Sequence, residues 1–274
     1  MQKRLCRSRG LLVLAACVLV SGSALAQPAS PSAPAPAEPM VSSRVVLSGL
    51  VALAESQLAA RVGALEALAS TDEARSAGWK RVGPLLEGLS WVQDSSAVAW
   101  FLLPDGSYYA TGQGLASGNL KDRAYFPEVM AGRTSVGTLV ISKSTGRDVV
   151  IVAVPIKNAK GAVIGALGAS TYLDRMSDGL ARALMLPPDL VFYALDPQGN
   201  TALHVRTEHV FEDAANQGSP TLTQAVKTML AQDHGMVTYE FEGTTRQVVF
   251  QVSPFTGWKF ALGTILGRSP APEK

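Results

Sequence analysis

Cysteine is almost missing from this chain: Cys6 and Cys17 are the only two, and both stand in its first twenty residues. Beyond that point a disulfide framework and thiol chemistry are excluded, so stability there must come from packing. Histidine is scarce too. His204, His209 and His234 have no spacing to cysteines or clustered acids that would make a metal site, and they read as surface residues. The chain also lacks a Gly-x-Ser-x-Gly elbow, a His-Glu-x-x-His pair, a P-loop and a Gly-rich dinucleotide fingerprint. The hydroxyl run Ser142 to Thr145 has no histidine near it in sequence to activate it. These absences point away from an enzyme, toward no metal and no cofactor.

Excess charge is also lacking once the N-terminus is considered. Lys3, Arg4, Arg7 and Arg9 precede an apolar stretch from Leu11 to Val20 and an Ala24-Leu25-Ala26 site, the pattern of a secretory signal peptide over residues 1–26. Cleavage is expected after Ala26. The alternative is a lipoprotein site at Leu14-Ala15-Ala16-Cys17, which is weaker because few apolar residues precede Cys17. Removing the leader takes away four of the 24 Lys plus Arg and none of the 22 Asp plus Glu, which leaves a net charge of about −2. No basic surface remains as a footprint for nucleic acid. Residues 27–41 are dominated by Pro, Ala and Ser and read as an extended linker; residues 268–274 read as a polar tail. No transmembrane helix is expected in the mature chain, which places it in the periplasm or outside the cell.

What the chain does have is an ordered set of elements that occurs twice. Phe101-Leu102-Leu103-Pro104-Asp105-Gly106 is matched by Tyr193-Ala194-Leu195-Asp196-Pro197-Gln198-Gly199. Arg147 leads an apolar run to Pro155, and Arg246 leads one to Pro254 at the same offset. Each copy closes on a Gly-bounded apolar strand, from Gly161 to Gly168 and from Gly257 to Gly263. A fixed order of this many elements predicts a duplicated α+β module. Before the first copy, Leu47, Leu50, Val51, Ala54, Leu58, Val62, Leu65 and Ala69 recur at helical spacing, with Glu55, Arg61 and Glu66 elsewhere on the cylinder. One long helix is predicted over 42–69. A second follows from a capping box at Ser70 and Glu73 and is expected to be interrupted or ended by Gly83-Pro84.

Strands are predicted near 97–103, 107–112, 136–142, 147–155 and 162–170, with a short helix near 124–131 after a loop. A helix over 171–185 leads to a second set near 190–195, 200–205, 236–242, 245–252 and 258–265, with Ser219-Pro220 opening a helix between them. The fold class is therefore α+β: a long N-terminal helix, then two tandem PAS-like modules over 42–186 and 187–267, each with a five-stranded antiparallel sheet.

Asp122-Arg123-Ala124-Tyr125-Phe126, Ile141-Ser142-Lys143-Ser144-Thr145-Gly146, Ala153-Val154-Pro155-Ile156 and Gly161-Ala162-Val163-Ile164-Gly165 together resemble the double Cache family of extracytoplasmic sensor domains; Gly257-Trp258-Lys259-Phe260 resembles its terminal strand. The resemblance covers nearly the whole chain after the linker. It implies small-molecule sensing, with the ligand held in the first, membrane-distal module. Arg123 matches the arginine of the amino-acid-binding branch, but Tyr125 and Phe126 replace its Trp and Tyr, Gly118 stands at an upstream Tyr position, and Ser170 at that of an Asp. Without that carboxylate an α-ammonium lacks its counter-charge, so a carboxylate or neutral polar ligand is the expectation. Arg123, Tyr125, Phe126, Tyr108, Tyr109, Ser170 and Tyr172 are the candidate ligand-binding residues. Arg147 and Arg246, equivalent across the repeat, read as structural, as does Trp258 in the core. The function expected is that of an exported, non-catalytic sensor that presents its ligand-bound state to a partner such as a membrane sensor. The rival readings are an envelope structural or interaction protein without a ligand, and a periplasmic hydrolase. The long helix is the element through which a homodimer would form.

Overall fold

The computed structural model describes residues 42–268. The leader with its cleavage site, Cys17 and the Pro/Ala-rich linker lie outside the described residues, as does the tail from residue 269.

Helix α1 (Ser43–Ala69) buries Leu47, Leu50, Val51, Ala54, Leu58, Leu65 and Ala69, the apolar stripe that its sequence spacing predicts. Arg61, placed by the sequence off the apolar stripe, is nonetheless buried. It is only 8% exposed, its Nη1 donating to Gln57 O at 2.8 Å and its guanidinium 6.0 Å from the centre of the Trp91 ring. The 27-residue helix has a mean hydropathy of 1.4 over its most apolar window, so by length and composition it is able to cross a membrane, contrary to the expectation that nothing after the leader was. Here its apolar stripe is covered by sheet strands instead.

Between α1 and the first sheet stand α2 (Asp72–Arg75), α3 (Trp79–Glu87) and α4 (Ser90–Gln93). The cap of α2 is Thr71, whose hydroxyl accepts from Ala74 N at 3.2 Å, not Ser70. Helix α3 runs through Pro84, which the sequence reading expected to stop it. A proline in a helix interior forfeits a single backbone hydrogen bond, and burial of Val82 and Leu86 on the same face holds the turn.

The first sheet comprises β1 (Ala97–Leu102), β2 (Ser107–Ala110), β3 (Gly114–Asn119), β4 (Ser135–Ile141), β5 (Asp148–Lys157) and β6 (Val163–Tyr172), with α5 (Tyr125–Met130) between β3 and β4. Its order is β3-β2-β1-β6-β5-β4, antiparallel throughout. It thus has six strands rather than the expected five. The extra one, β3, is an edge strand of Gly, Ala, Ser and Asn with a single leucine, half-exposed to fully exposed along its length, and so carries no alternation to mark it. Helix α6 (Leu173–Leu184) leads to the second sheet: β7 (Leu190–Leu195), β8 (Thr201–His204), β9 (His234–Phe241), β10 (Thr244–Val252) and β11 (Lys259–Arg268), ordered β8-β7-β11-β10-β9. Between β8 and β9 lies α7 (Pro220–Ala231), capped by Ser219 Oγ, which accepts from Leu222 N at 3.2 Å.

Each sheet has two apolar faces because successive residues of a strand point to opposite sides. In the first sheet Ala99, Phe101, Val150, Val152, Val154 and Leu167 face α1; in the second Phe192, Ala194, Phe260 and Leu262 do so, and all join one continuous core with the helix. The opposite faces form separate cores. Trp100, Tyr108, Tyr125, Val149 and Ile151 pack under α5, while Val191, Tyr193, Leu222, Val226, Val248 and Phe250 pack under α7. Trp258 is fully buried in the shared core, and its indole Nε1 donates to Gly137 O of the first module at 3.0 Å. Ser253 Oγ donates to Glu55 of α1 at 2.7 Å. The two modules are thereby joined through α1 and through each other.

Candidate functional site

The α5-side face of the first sheet holds a cavity walled by Trp100 (β1), Tyr108 (β2), Arg123, Tyr125 (α5), Ile151 (β5) and Ser170 (β6), and roofed by Lys143 and Ser144. The Trp100 ring stacks on Tyr125 at 5.7 Å between centroids. Its cross-strand partner is Gly168, where a β-carbon would stand 2.1 Å from the indole, so only glycine lets this ring lie flat on the sheet. Trp100 Nε1 donates to Ser170 Oγ at 3.0 Å. Arg123 Nη2 donates to Ile141 O at 2.6 Å, while its Nε is buried without a hydrogen-bond partner. Lys143 Nζ closes the roof, donating to Asn119 O at 2.6 Å and to the Asp122 carboxylate at 2.7 Å. That hydrogen bond holds the Asp122 carboxyl below its ordinary range. Burial pushes the Tyr125 and Tyr108 hydroxyls up, so both stay protonated donors. The free volume is about 10 Å³, room for about one water.

Four of the seven sequence-nominated residues, Arg123, Tyr125, Tyr108 and Ser170, are brought together here. The other three stand apart from the cavity. Tyr109 points to the opposite face, stacked on Trp79 at 5.3 Å and near Phe101, because neighbours on β2 alternate sides. Phe126 lies on α5, half-buried against the same core but off the cavity wall. Tyr172 lies at the far end of β6, beneath Arg147 at 3.6 Å from its ring centre. Arg147 also pairs with Asp174 at 2.6 Å near the surface.

The second module holds a cluster that sequence reasoning missed. Its α7-side face encloses a cavity of about 40 Å³ walled by Tyr193, His204, His209, Tyr239, Phe241 and Arg246 among others. His204 is buried rather than on the surface, stacked 6.1 Å from Tyr193 and edge-on to His209 at 4.8 Å. Burial first, then the neighbouring His209, pushes its pKa down to about 3. Its Nδ1 accepts from Arg206 N at 2.9 Å, so the neutral ring carries its proton on Nε2. His209 Nδ1 contacts Glu212 Oε2 at 2.9 Å; its Nε2 is buried without a hydrogen bond, 3.5 Å from Glu242 Oε1. Arg246, the repeat equivalent of the half-buried Arg147, is 5% exposed and lies 4.7 Å over Phe241. It holds Thr244 and Glu242 only at 3.3 and 3.4 Å. Burial raises the Glu242 carboxyl, but the hydrogen bond and charge of Arg206, with His209 and Arg246, outweigh this and leave it low. The alternation Arg246, Val248, Phe250 along β10 was the signal that set Arg246 on the inner face. Among the described residues no group of three or more His, Cys, Asp or Glu is placed to hold a metal ion.

No protein-family model matches the chain. No curated protein matches it either. Among solved structures, an extracellular ligand binding receptor from Desulfohalobium retbaense superposes with a TM-score of 0.64 at 12% identity over 81% of this chain, which spans 40% of that longer one. The ligand binding domain of the Pseudomonas aeruginosa amino acid chemoreceptor PctB, in complex with L-Arg, gives 0.63 at 17% identity over 81% of this chain and 93% of that one. The sensory domain of the Campylobacter jejuni chemoreceptor Tlp3 with isoleucine bound gives 0.59 at 14% identity over 82% and 91%. At such identities the likeness establishes the fold alone: a long helix followed by two tandem PAS-like modules, each built on an antiparallel sheet, the architecture that the double Cache resemblance implies.

Proposed function

We propose that this protein is an exported, non-catalytic, small-molecule-binding sensor whose first module takes a small carboxylate or neutral polar ligand. The observation that carries the reading is Arg123: a guanidinium whose Nε is buried and unpartnered, beside a cavity walled by the rings of Trp100, Tyr108 and Tyr125. A guanidinium grips a carboxylate through parallel hydrogen bonds, and tyrosine hydroxyls that stay protonated add neutral donors. Two of the structural neighbours, the Tlp3 and PctB domains, hold isoleucine and L-Arg. In this chain Ser170 stands where an acid would meet an α-ammonium, and its hydroxyl is taken by Trp100 Nε1. That supports a ligand without an amine.

With room for about one water, the cavity is in a closed state. Entry requires the Lys143 roof to release Asp122 and Asn119, and the ligand then replaces Ile141 O on Arg123. Ligand binding would shift the population from the closed to the open roof. Because β5 and β6 pack on α1, the shift would reach a partner such as a membrane sensor through that helix. The outward face of α1, with Ser48, Gly49, Ala52, Ser56, Ala59 and Gly63 exposed, is where a second copy would pair; sedimentation at micromolar concentrations checks this.

Calorimetry tests the site. For a carboxylate ligand, Arg123→Ala should weaken binding by about 2 to 4 kcal/mol, with Arg123→Lys restoring only part; full affinity in Arg123→Ala would refute it. The closed cavity favours one rival, an envelope interaction protein without a ligand. A thermal-shift panel of metabolites separates the two, since a ligand above its Kd must raise the Tm. Export is checked by the N-terminus of the mature protein, expected at Gln27 with Cys17 removed.

A further inference from the structure

We infer that the cavity of the second module is a ligand site in its own right, built for a small monocarboxylate. The inference does not depend on the first-module reading.

Three observations carry it. First, the cavity is walled in by side chains that are costly to bury. Arg246 and His204 are 5% and 6% exposed, and His209 Nε2 is wholly buried without a hydrogen bond. A buried polar group without a partner carries a penalty of about 1 to 3 kcal/mol, and a residue set of this kind around a void points to a missing partner. Second, the cluster is rich in donors. The His204 Nε2–H and the Arg246 guanidinium line the cavity as donors, with the Tyr239 hydroxyl between Tyr193 and Arg246, whereas the carboxylates nearby, Glu212 and Glu242, are already engaged by His209, Arg206 and Arg246. A donor-rich wall fits an oxyanion. Third, the remaining wall is mostly apolar, from Leu195, Ala214, Leu222 and Phe241, with Thr201 and Gln217 its other polar members. At about 10 to 15 Å³ for each water-sized position, the 40 Å³ void holds about three such positions. That fits a carboxylate with a methyl or ethyl body.

The long contacts of Arg246 to Thr244 and Glu242, at 3.3 and 3.4 Å, are what a bidentate carboxylate would displace or share. Its repeat counterpart Arg147 is tied at 2.6 Å to Asp174 near the surface and faces no such cavity. The duplicated arginine has thus been turned inward in one module only.

The test is calorimetry of the full chain titrated with sodium acetate and sodium propionate, with propionamide as the neutral match for propionate. In Arg123→Ala, which removes the first-module arginine, saturable binding of one carboxylate per chain is expected, with none for propionamide, and the wild type should bind the carboxylate at least as well. Arg246→Gln should weaken it by about thirtyfold or more. His209→Phe, which keeps an aromatic ring against Phe241, should weaken it as well and decides the matter if Arg246→Gln does not fold. Absence of saturable binding to both carboxylates, equal binding of propionamide, or retention of affinity in both second-module variants would overturn the inference. Binding lost in Arg123→Ala but kept in Arg246→Gln would overturn it too, while supporting the first-module site.

Discussion

Replacing Trp258 by phenylalanine tests whether the two modules stand or fall together. The indole is fully buried in the core shared by both sheets and α1, 6.1 Å from Phe260, and its Nε1 donates across the module boundary to Gly137 O at 3.0 Å. Phenylalanine keeps a ring but removes the donor, which leaves the Gly137 carbonyl unpaired at a cost of about 1 to 3 kcal/mol. The smaller ring leaves a void worth about 1 to 2 kcal/mol more, since packed surroundings relax only partly. The sum is about 3 kcal/mol, which for a unit of this size lowers the Tm by roughly 6 to 12 °C. Scanning calorimetry should show one transition, moved as a whole, because α1 and the inner faces of both sheets form a single core. A shift of under about 1 kcal/mol would mean that the cross-module hydrogen bond adds nothing net. Splitting into two transitions would refute the shared core. Gly137→Ala attacks the same junction from the other side: its φ of +90° and a β-carbon 3.1 Å from Thr256 make any side chain there strained.

Acid should destabilise the protein through His204. Its folded pKa of about 3 lies below the ordinary 6.5, so the native state binds fewer protons than the unfolded chain between those values. The stability this contributes is fully present above about pH 6.5 and is lost as pH falls, by about 2 kcal/mol between pH 6.5 and 5. Urea denaturation at the two pH values should show that loss in the wild type and a smaller one in His204→Phe; equal losses would contradict the assignment. Deleting residues 43–69 removes the five large apolar side chains Leu47, Leu50, Val51, Leu58 and Leu65 from the core, a gross loss of about 10 kcal/mol that is comparable to the stability of a whole domain. The truncated chain should show no cooperative melt, and one melting at the full-length temperature would contradict the shared-helix architecture.

Local chemistry along the chain was sufficient for most of the architecture. The heptad-like stripe of α1, the Ser219-Pro220 start of α7, the continuous apolar runs of β1, β5 and β7 and the alternation of β10 are each visible in a few consecutive residues, because helix and strand periods are set by the backbone itself. Four residues of the first-module cavity were also legible, Arg123 and Tyr125 through their motif, Ser170 through the resemblance and Tyr108 as a tyrosine of the neighbouring strand. What sequence did not disclose was decided by contacts between residues far apart in the chain. β3 exists because β2 offers it an edge, not because of its own pattern. Pro84 stays in α3 because the packing of Val82 and Leu86 outweighs one lost hydrogen bond. Arg61 is buried by Trp91, thirty residues away. In one dimension His204 and His209 look like scattered surface residues and Arg246 like a structural arginine of a hairpin. Only the closing of β8, β9 and β10 around α7 brings them to one cavity, where burial holds His204 neutral and leaves His209 Nε2 without a hydrogen bond.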